Sequence, residues 1–303
     1  MTGSGPMYRD DVHPPAVAVR QAVAIALAED LLPLGDLSAA LIPEGSRGRA
    51  AFVARAAGIV AGTRCVEQSC IQVDPGLEVT WLVGEGCEIG PGAVIGRLEG
   101  ELRSLLSAER TALNFLSHLS GVATAARRYV EAAHAANPSA RIWDTRKTTP
   151  GLRSLEKAAV RAGGAANHRG SLSEGVLIKD NHLGGLSISE AVRRALERWP
   201  GRMVEVECEH PGQVTEALDA GATLVMCDNM SPDEVRACVQ LVRAHPRGAT
   251  GSVLVEASGG VNLDNVAAYA RAGSDVISVG ALTHSVVALD IGLDLESVTL
   301  GAN

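Results

Sequence analysis

The chain has 303 residues, 46% of them hydrophobic and 20% charged, so it can bury a sizeable core and is not a disordered polypeptide. A formal net charge of −8 argues against nonspecific nucleic-acid binding, and an aromatic content of 3% leaves the core to Ala, Val, Leu and Ile. The six cysteines (65, 70, 87, 208, 227 and 238) form no CxxC and no metal-ligand spacing, which predicts free thiols in a reducing, cytoplasmic setting.

Met1 to Pro15 is polar, with none of the apolar core of a signal peptide, and the apolar stretch Ala16 to Ala28 is broken by Arg20 and Gln21. A spanning helix needs about 20 apolar residues, so no membrane segment is expected. Residues 15–31 have helical periodicity. Residues 49–55 and 58–62 read as two strands, 63–73 as a helix, and 78–83 and 93–98 as further strands punctuated by glycines. From Glu101 to Asn137 the pattern is helical, with an expected interruption near Ser120-Gly121, where the domain change is placed.

Six short apolar runs follow, each ending in charged residues or glycine before a helix-like stretch. Arg141-Ile142-Trp143 leads to Asp144-Thr145-Arg146-Lys147, and Val176-Leu177-Ile178 to Lys179-Asp180-Asn181-His182. Met203 to Val206 leads to Glu207, and Thr223 to Cys227 leads to Asp228-Asn229. Ser252 to Val255 leads to Glu256-Ala257-Ser258-Gly259-Gly260, and Asp275 to Val279 to Gly280-Ala281. Continuous apolar runs alternating with helices predict buried parallel strands in βαβ units, with ligands at their carboxyl ends.

These six units occupy 143 residues, too few for an eight-fold barrel of roughly 200–250. The expected fold is α/β: a small N-terminal α/β sandwich domain (1–118), then an incomplete, about six-stranded α/β barrel (119–285). Residues 286–303 are expected to pack back on the first domain. An open doubly wound sheet is the structural rival.

Charge locates the site. Residues 141–182 hold eight Lys and Arg against four acids, a local +4 that leaves −12 for the rest. Basic residues at strand ends suit an anionic small molecule. Arg153, Lys157 and Arg161, spaced four apart, read more simply as a solvated helix face. Glu207 and Asp228 end neighbouring strands, where carboxylates hold ribose hydroxyls or a divalent cation, or pair internally with the basic strands. Ser258-Gly259-Gly260 and Gly280-Ala281, after the last two strands, suit a phosphate. The rim therefore suits a phosphorylated sugar beside a second, strongly anionic substrate.

With these residues in hand, the chain resembles the quinolinate phosphoribosyltransferases. The match is carried by Glu109 to Asn114, Asp144-Thr145-Arg146-Lys147-Thr148-Thr149-Pro150-Gly151-Leu152-Arg153, Gly163-Gly164, Asn167-His168-Arg169 and Ile178 to His182. Glu205 to Glu207, Cys227 to Asn229, Glu256 to Gly260 and Val279 to His284 continue it over about residues 15–295. The resemblance implies a homodimer in which Arg110 completes the neighbouring site. It implies conversion of quinolinate and phosphoribosyl pyrophosphate to nicotinate mononucleotide, pyrophosphate and CO2, with Mg2+, in NAD biosynthesis. Quinolinate would fall to Arg110, Arg146, His168, Arg169 and Lys179, with Lys147 near the ring nitrogen and the departing carboxylate. Glu207 and Asp228 would serve the ribose and, directly or through water, the metal. Ser258, Gly259, Gly260, Gly280 and Ala281 would hold the 5′-phosphate. A relative acting on another pyridine carboxylate, or linked to molybdate uptake, and a catalytically silent binding protein are the alternatives.

Overall fold

A computed structural model describes residues 12–301 of the chain. The strands are β1 (Arg47–Ala54), β2 (Gly58–Ile59), β3 (Glu78–Trp81), β4 (Glu88–Ile89), β5 (Val94–Glu101) and β6 (Arg141–Trp143). Then come β7 (Val176–Ile178), β8 (Val204–Cys208), β9 (Leu224–Asp228), β10 (Leu254–Ser258), β11 (Val276–Ser278) and β12 (Ile291–Thr299). The helices are α1 (Ala16–Leu31), α2 (Thr63–Val73), α3 (Leu102–Ala136), α4 (Arg153–Ala162), α5 (Asp180–Leu183) and α6 (Ile188–Arg198). They continue with α7 (Pro211–Ala220), α8 (Pro232–Ala244), α9 (Pro246–Ala249), α10 (Val266–Ala272) and α11 (Ala281–His284). Among the described residues no helix is long and apolar enough to cross a membrane.

The chain divides into two compact units. The first takes the chain up to Arg127, together with Thr148–Gly164 and the residues from Thr283 onward. Its main sheet has the order β12-β1-β5-β3, antiparallel throughout. Phe52, Ile95 and Leu98 from this sheet pack with Leu105 and Leu116 of α3 in one buried cluster. The spacing of Leu105, Ala108, Ala112, Leu116 and Leu119, all buried, is the three-to-four residue stripe that a core-facing helix needs. β12 alternates weakly and is mostly exposed, so pairing with β1, rather than its own pattern, makes it a strand.

The interruption expected near Ser120-Gly121 is absent: α3 is one helix of 35 residues. Gly121 serves close packing instead. A Cβ there would lie 2.4 Å from the carbonyl oxygen of Val287, so only glycine lets the returning chain reach the helix. Gly121→Ala is therefore expected to lose about 1–3 kcal/mol despite alanine's better helix propensity. A urea unfolding midpoint unchanged from the parent would contradict this.

The second unit is Arg128–Lys147 with Ala165–Leu282. Its six strands are all parallel, in the order β6-β11-β10-β9-β8-β7. Consecutive strands from β7 to β11 are neighbours, and β6 returns to lie beside β11. That is the cyclic order of a barrel, without the reversal of a doubly wound sheet. Only the seam between β6 and β7 is open, so the barrel is incomplete. The chain leaving β6 touches the sheet again through one parallel bridge, Trp143 to Ala166. β8, β9 and β11 are buried on both faces, as parallel strands under helices must be.

Candidate active site

Parallel pairing puts every strand's carboxyl end on one rim of the second unit. Period-two alternation then sorts the side chains. Glu207 faces Met226 across the β8–β9 ladder, and Asp228 faces Ser258 across the β9–β10 ladder. Met226 and Asp228 alternate onto the same face, so Glu207, Asp228 and Ser258 all point to the inside of the barrel. Lys179 directly follows β7, and its Nζ forms an ion pair with Glu207 Oε2. The internal pairing weighed from sequence for the acids is thus present at Glu207.

Asp144, just past β6, anchors the cationic side. It is fully buried; its Oδ1 accepts the backbone N–H of His168 at 2.8 Å and its Oδ2 accepts Asn167 Nδ2 at 2.7 Å. The side chain of the following turn is used as well, since Thr145 Oγ1 accepts the N–H of Lys147 at 3.0 Å. Lys147 itself is exposed and Arg146 half-buried. Arg169 Nη1 donates to the carbonyl of Gly175 at 2.9 Å, closing the loop on itself. Burial, and then the like charge of Arg146, lower the pKa of Arg169, while Glu205 opposes the shift. A guanidinium stays charged in such a place. Arg146 and Arg169 therefore form a repelling cationic pair that an anionic ligand would relieve.

His168, expected at the dianion, is buried beside Arg169. Its exposure is 7% and its ring lies edge-on to Trp143 with centroids 5.5 Å apart. Nδ1 accepts the backbone N–H of Arg169 at 2.7 Å, and Nε2 lies 3.1 Å from Glu205 Oε2 and 3.5 Å from Glu256 Oε2. Burial pushes Glu205 up to about 7, against the pull of Arg169. Burial, and then the charge of Glu205, push Glu256 up to about 8. Both carboxyls stand two residues below a rim residue, Glu207 or Ser258, on the same inward face.

The glycine-rich side of the rim is built from two interlocked turns. Asn229 is in the left-handed region at φ 54°, the one non-glycine residue so placed among the described residues. Its N–H donates to the carbonyl of Ser258 at 2.9 Å, and its Nδ2 donates to Asp228 Oδ2 at 2.6 Å. Gly259 has φ 91°, and a Cβ on it would sit 2.3 Å from Asn229 Oδ1. Asn265 Nδ2 donates to the carbonyl of Gly260 at 3.0 Å, tying the turn to α10. Gly280 follows β11 and Ala281 opens α11, so both lie on the same rim.

Two further expectations concern residues of the first unit. Arg110 is an exposed residue of α3, in the first unit. Arg153, Lys157 and Arg161 are not a solvated face: Lys157 is buried, and Arg153 Nε donates to Thr148 Oγ1 at 3.0 Å. Glu156, beside them on α4, is fully buried and joins His118 Nε2 at 2.9 Å to the N–H of Thr149 at 3.1 Å. These α4 side chains fasten the segment that follows Lys147. Asp144, Asn229 and Glu256 stand within the sequence motifs, but the motifs alone assign them no role. The signal was there for the acids, since a carboxylate inside an apolar strand must have a partner.

Comparison with known proteins identifies the family. Residues 122–294 match the family model of the quinolinate phosphoribosyl transferase C-terminal domain, and residues 36–120 match that of the N-terminal domain. The chain is 39% identical over 285 residues to the nicotinate-nucleotide pyrophosphorylase [carboxylating] of Mycobacterium leprae, covering 92% of this chain and 97% of that one. It is 38% identical over 305 residues to quinolinate phosphoribosyltransferase [decarboxylating] 1 of Nicotiana glauca, covering 94% of this chain and 85% of the relative. The solved structure of the nicotinate-nucleotide pyrophosphorylase from Francisella tularensis superposes with a TM-score of 0.87 at 35% identity, covering 95% of this chain and 99% of that one. With both family domains matched in order and the strand-end residues gathered on one rim, the chain belongs to the quinolinate phosphoribosyltransferase family.

Proposed function

We propose that this chain transfers phosphoribose from phosphoribosyl pyrophosphate to quinolinate and releases CO2, forming nicotinate mononucleotide and pyrophosphate for NAD biosynthesis. The observation that carries this is the single rim on which a cationic pair, Arg146 and Arg169, stands with Glu207, Asp228 and the Ser258–Gly260 turn. Quinolinate is an adjacent dicarboxylate, and taking it out of water beside a second anion requires several fixed cations. Arg146, Arg169 and Lys179 serve that purpose, and His168 acts through Arg169.

The pyridine nitrogen attacks the anomeric carbon as the bond to pyrophosphate breaks. Glu207 and Asp228 face the ribose, where carboxylates orient hydroxyls and stabilise positive charge developing on the sugar. To do so Glu207 must exchange Lys179 for substrate, which frees the ammonium for the dianion. Alkylated nitrogen then makes the ring the electron sink. The neighbouring carboxylate leaves as CO2, its bonding pair stays on the ring carbon, and that carbon takes up a proton. Lys147 lies by the departing carboxylate and steadies it until then. The remaining catalysis is positioning.

Glu207 and Asp228 also fit a divalent cation. They are two oxygen donors on adjacent strands, facing one way, at a half-buried rim open to further ligands. Bound Mg2+ would neutralise charge on the pyrophosphate leaving group. Six free cysteines, five of them buried, support a reducing, cytoplasmic setting.

Substrate class is tested by competition: quinolinate should displace a labelled ligand at least about tenfold better than nicotinate, the second carboxylate being worth a charged contact. Equal displacement by the two acids would contradict a site built for a dicarboxylate. We also propose a homodimer in which the partner subunit's Arg110 completes each site. Mixing Arg110→Ala with Lys147→Ala protein, each inactive alone, should then restore up to about a quarter of parental activity by random reassociation. No recovery after verified subunit exchange would place Arg110 in its own subunit's site or outside any site.

A further inference from the structure

Beneath the rim, His168, Glu205 and Glu256 bring one nitrogen and two carboxylate oxygens within 4.8 Å of one another, with exposures of 7%, 0% and 0%. The reaction proposed above gives these acids no direct part. Two carboxylates so close in a dry interior do not both stay ionised. Hydrogen-bond supply says the same. A carboxylate only accepts, and His168 brings a single N–H, because its Nδ1 already accepts the backbone of Arg169. That N–H, on Nε2, lies 3.3 Å from Glu205 Oε1. As ions, the two carboxylates would present four buried oxygens to two donors, the His168 N–H and the hydroxyl of Ser278 beside Glu256. Each such group left unsatisfied is costly.

One proton resolves the shortage. Placed on Glu256, it gives an O–H that donates to Glu205, and Glu205 accepts the His168 N–H as well. The Glu256 carboxyl oxygen left over accepts the hydroxyl of Ser278. The elevated pKa of Glu256, about 8, agrees with this placement. Arg169, Lys179 and Glu207 are the other charged groups acting on the cluster, through Glu205.

We propose, building on the quinolinate reading above, that Glu256 is a neutral carboxylic acid at physiological pH and heads a hydrogen-bonded chain, Glu256 to Glu205 to His168, that fixes the histidine tautomer and thereby positions Arg169 for the dianion. Glu256, Glu205 and His168 are positioning residues. Their chain ends on the main-chain N–H of Arg169, so disturbing it moves a substrate cation without touching substrate.

Infrared spectra of the full-length protein at neutral pH test the proton directly. A deuterium-sensitive carboxylic-acid C=O band should be present in the parent and missing from Glu256→Gln. Absence of that band in the parent overturns the proposal, whatever reaction the protein catalyses. Stoichiometric divalent metal retained by the parent and lost from Glu256→Gln also overturns it, since the cluster would then be a metal site. In kinetics, Glu256→Ala should raise the quinolinate KM about tenfold, the worth of one hydrogen bond, and leave the KM for phosphoribosyl pyrophosphate within about twofold. Glu256→Gln keeps a neutral donor at that place and should recover most of the loss. Equal rises in both KM values, or no recovery in the glutamine variant, would reduce the cluster to general scaffolding. If Glu256→Ala does not fold, the glutamine variant and the infrared band still decide.

Discussion

Lys147→Ala is expected to lower kcat/KM for nucleotide formation by about a hundredfold to a thousandfold, the usual loss when one preorganised charge is removed from a reacting centre. The residue stands in the segment after β6, its backbone N–H held by Thr145 Oγ1 at 3.0 Å. That bond fixes the main chain whatever the length of the side chain. Lys147 is exposed, and stability should move by no more than about 0.5 kcal/mol. Quinolinate binding should weaken much less than turnover falls, because Arg146, Arg169 and Lys179 remain. A loss below about tenfold would move Lys147 from the reacting atoms to the edge of the binding site.

The second large effect is expected at Gly259. Its φ of 91° is a conformation that side chains rarely adopt, and an added Cβ would lie 2.3 Å from Asn229 Oδ1 and 2.8 Å from Asn229 N. Asn229 cannot yield freely, since its N–H holds the carbonyl of Ser258 and its amide holds Asp228. Gly259→Ala must therefore displace the phosphate turn, the rim carboxylate Asp228, or both. We expect the KM for phosphoribosyl pyrophosphate to rise about a hundredfold, equivalent to roughly two charge-assisted hydrogen bonds. Quinolinate affinity, measured alone by calorimetry, should stay within about threefold, because Arg146 and Arg169 sit on other loops. Matched losses for both ligands would mean that the change collapsed the unit as a whole.

Much of the fold is legible in the sequence because parallel strands bury both faces and so announce themselves as uninterrupted apolar runs. All six appear where Ile142, Leu177, Val206, Val225, Val255 and Ile277 lie. Their polar last residues mark the rim for the same reason: a charge at the end of a buried strand has been placed there at a cost. The N-terminal sheet is harder to read. β2 and β4 have two residues each, too few for any periodicity, and β12 is an edge strand defined by its partner. Gly121 misled because glycine in a helical pattern signals weakness locally, whereas here it answers to Val287, far away in sequence. Lys157 and its neighbours misled in the same way, since i, i+4 spacing cannot distinguish a wet face from one packed inside the first unit.

The site divides along a similar line. Residues proposed to meet a ligand lie at or just past strand ends and can be found by position, as with Arg146, Lys179, Glu207, Asp228 and Ser258. Residues that act through others cannot. That His168 spends Nδ1 on the main chain of Arg169 and Nε2 on two acids depends on a loop path that no motif encodes. Likewise the reach of Asp144 to His168, and of Glu156 to His118 and Thr149, is settled only by tertiary packing.

The most direct test of the central claim is product stoichiometry. The purified chain would be incubated with quinolinate, phosphoribosyl pyrophosphate and Mg2+, and nicotinate mononucleotide and CO2 would be counted in the same reaction. A site built for an adjacent dicarboxylate and a phosphorylated sugar predicts equal amounts of the two products. Nucleotide formed from nicotinate without CO2, or neither product while quinolinate still binds, would contradict it.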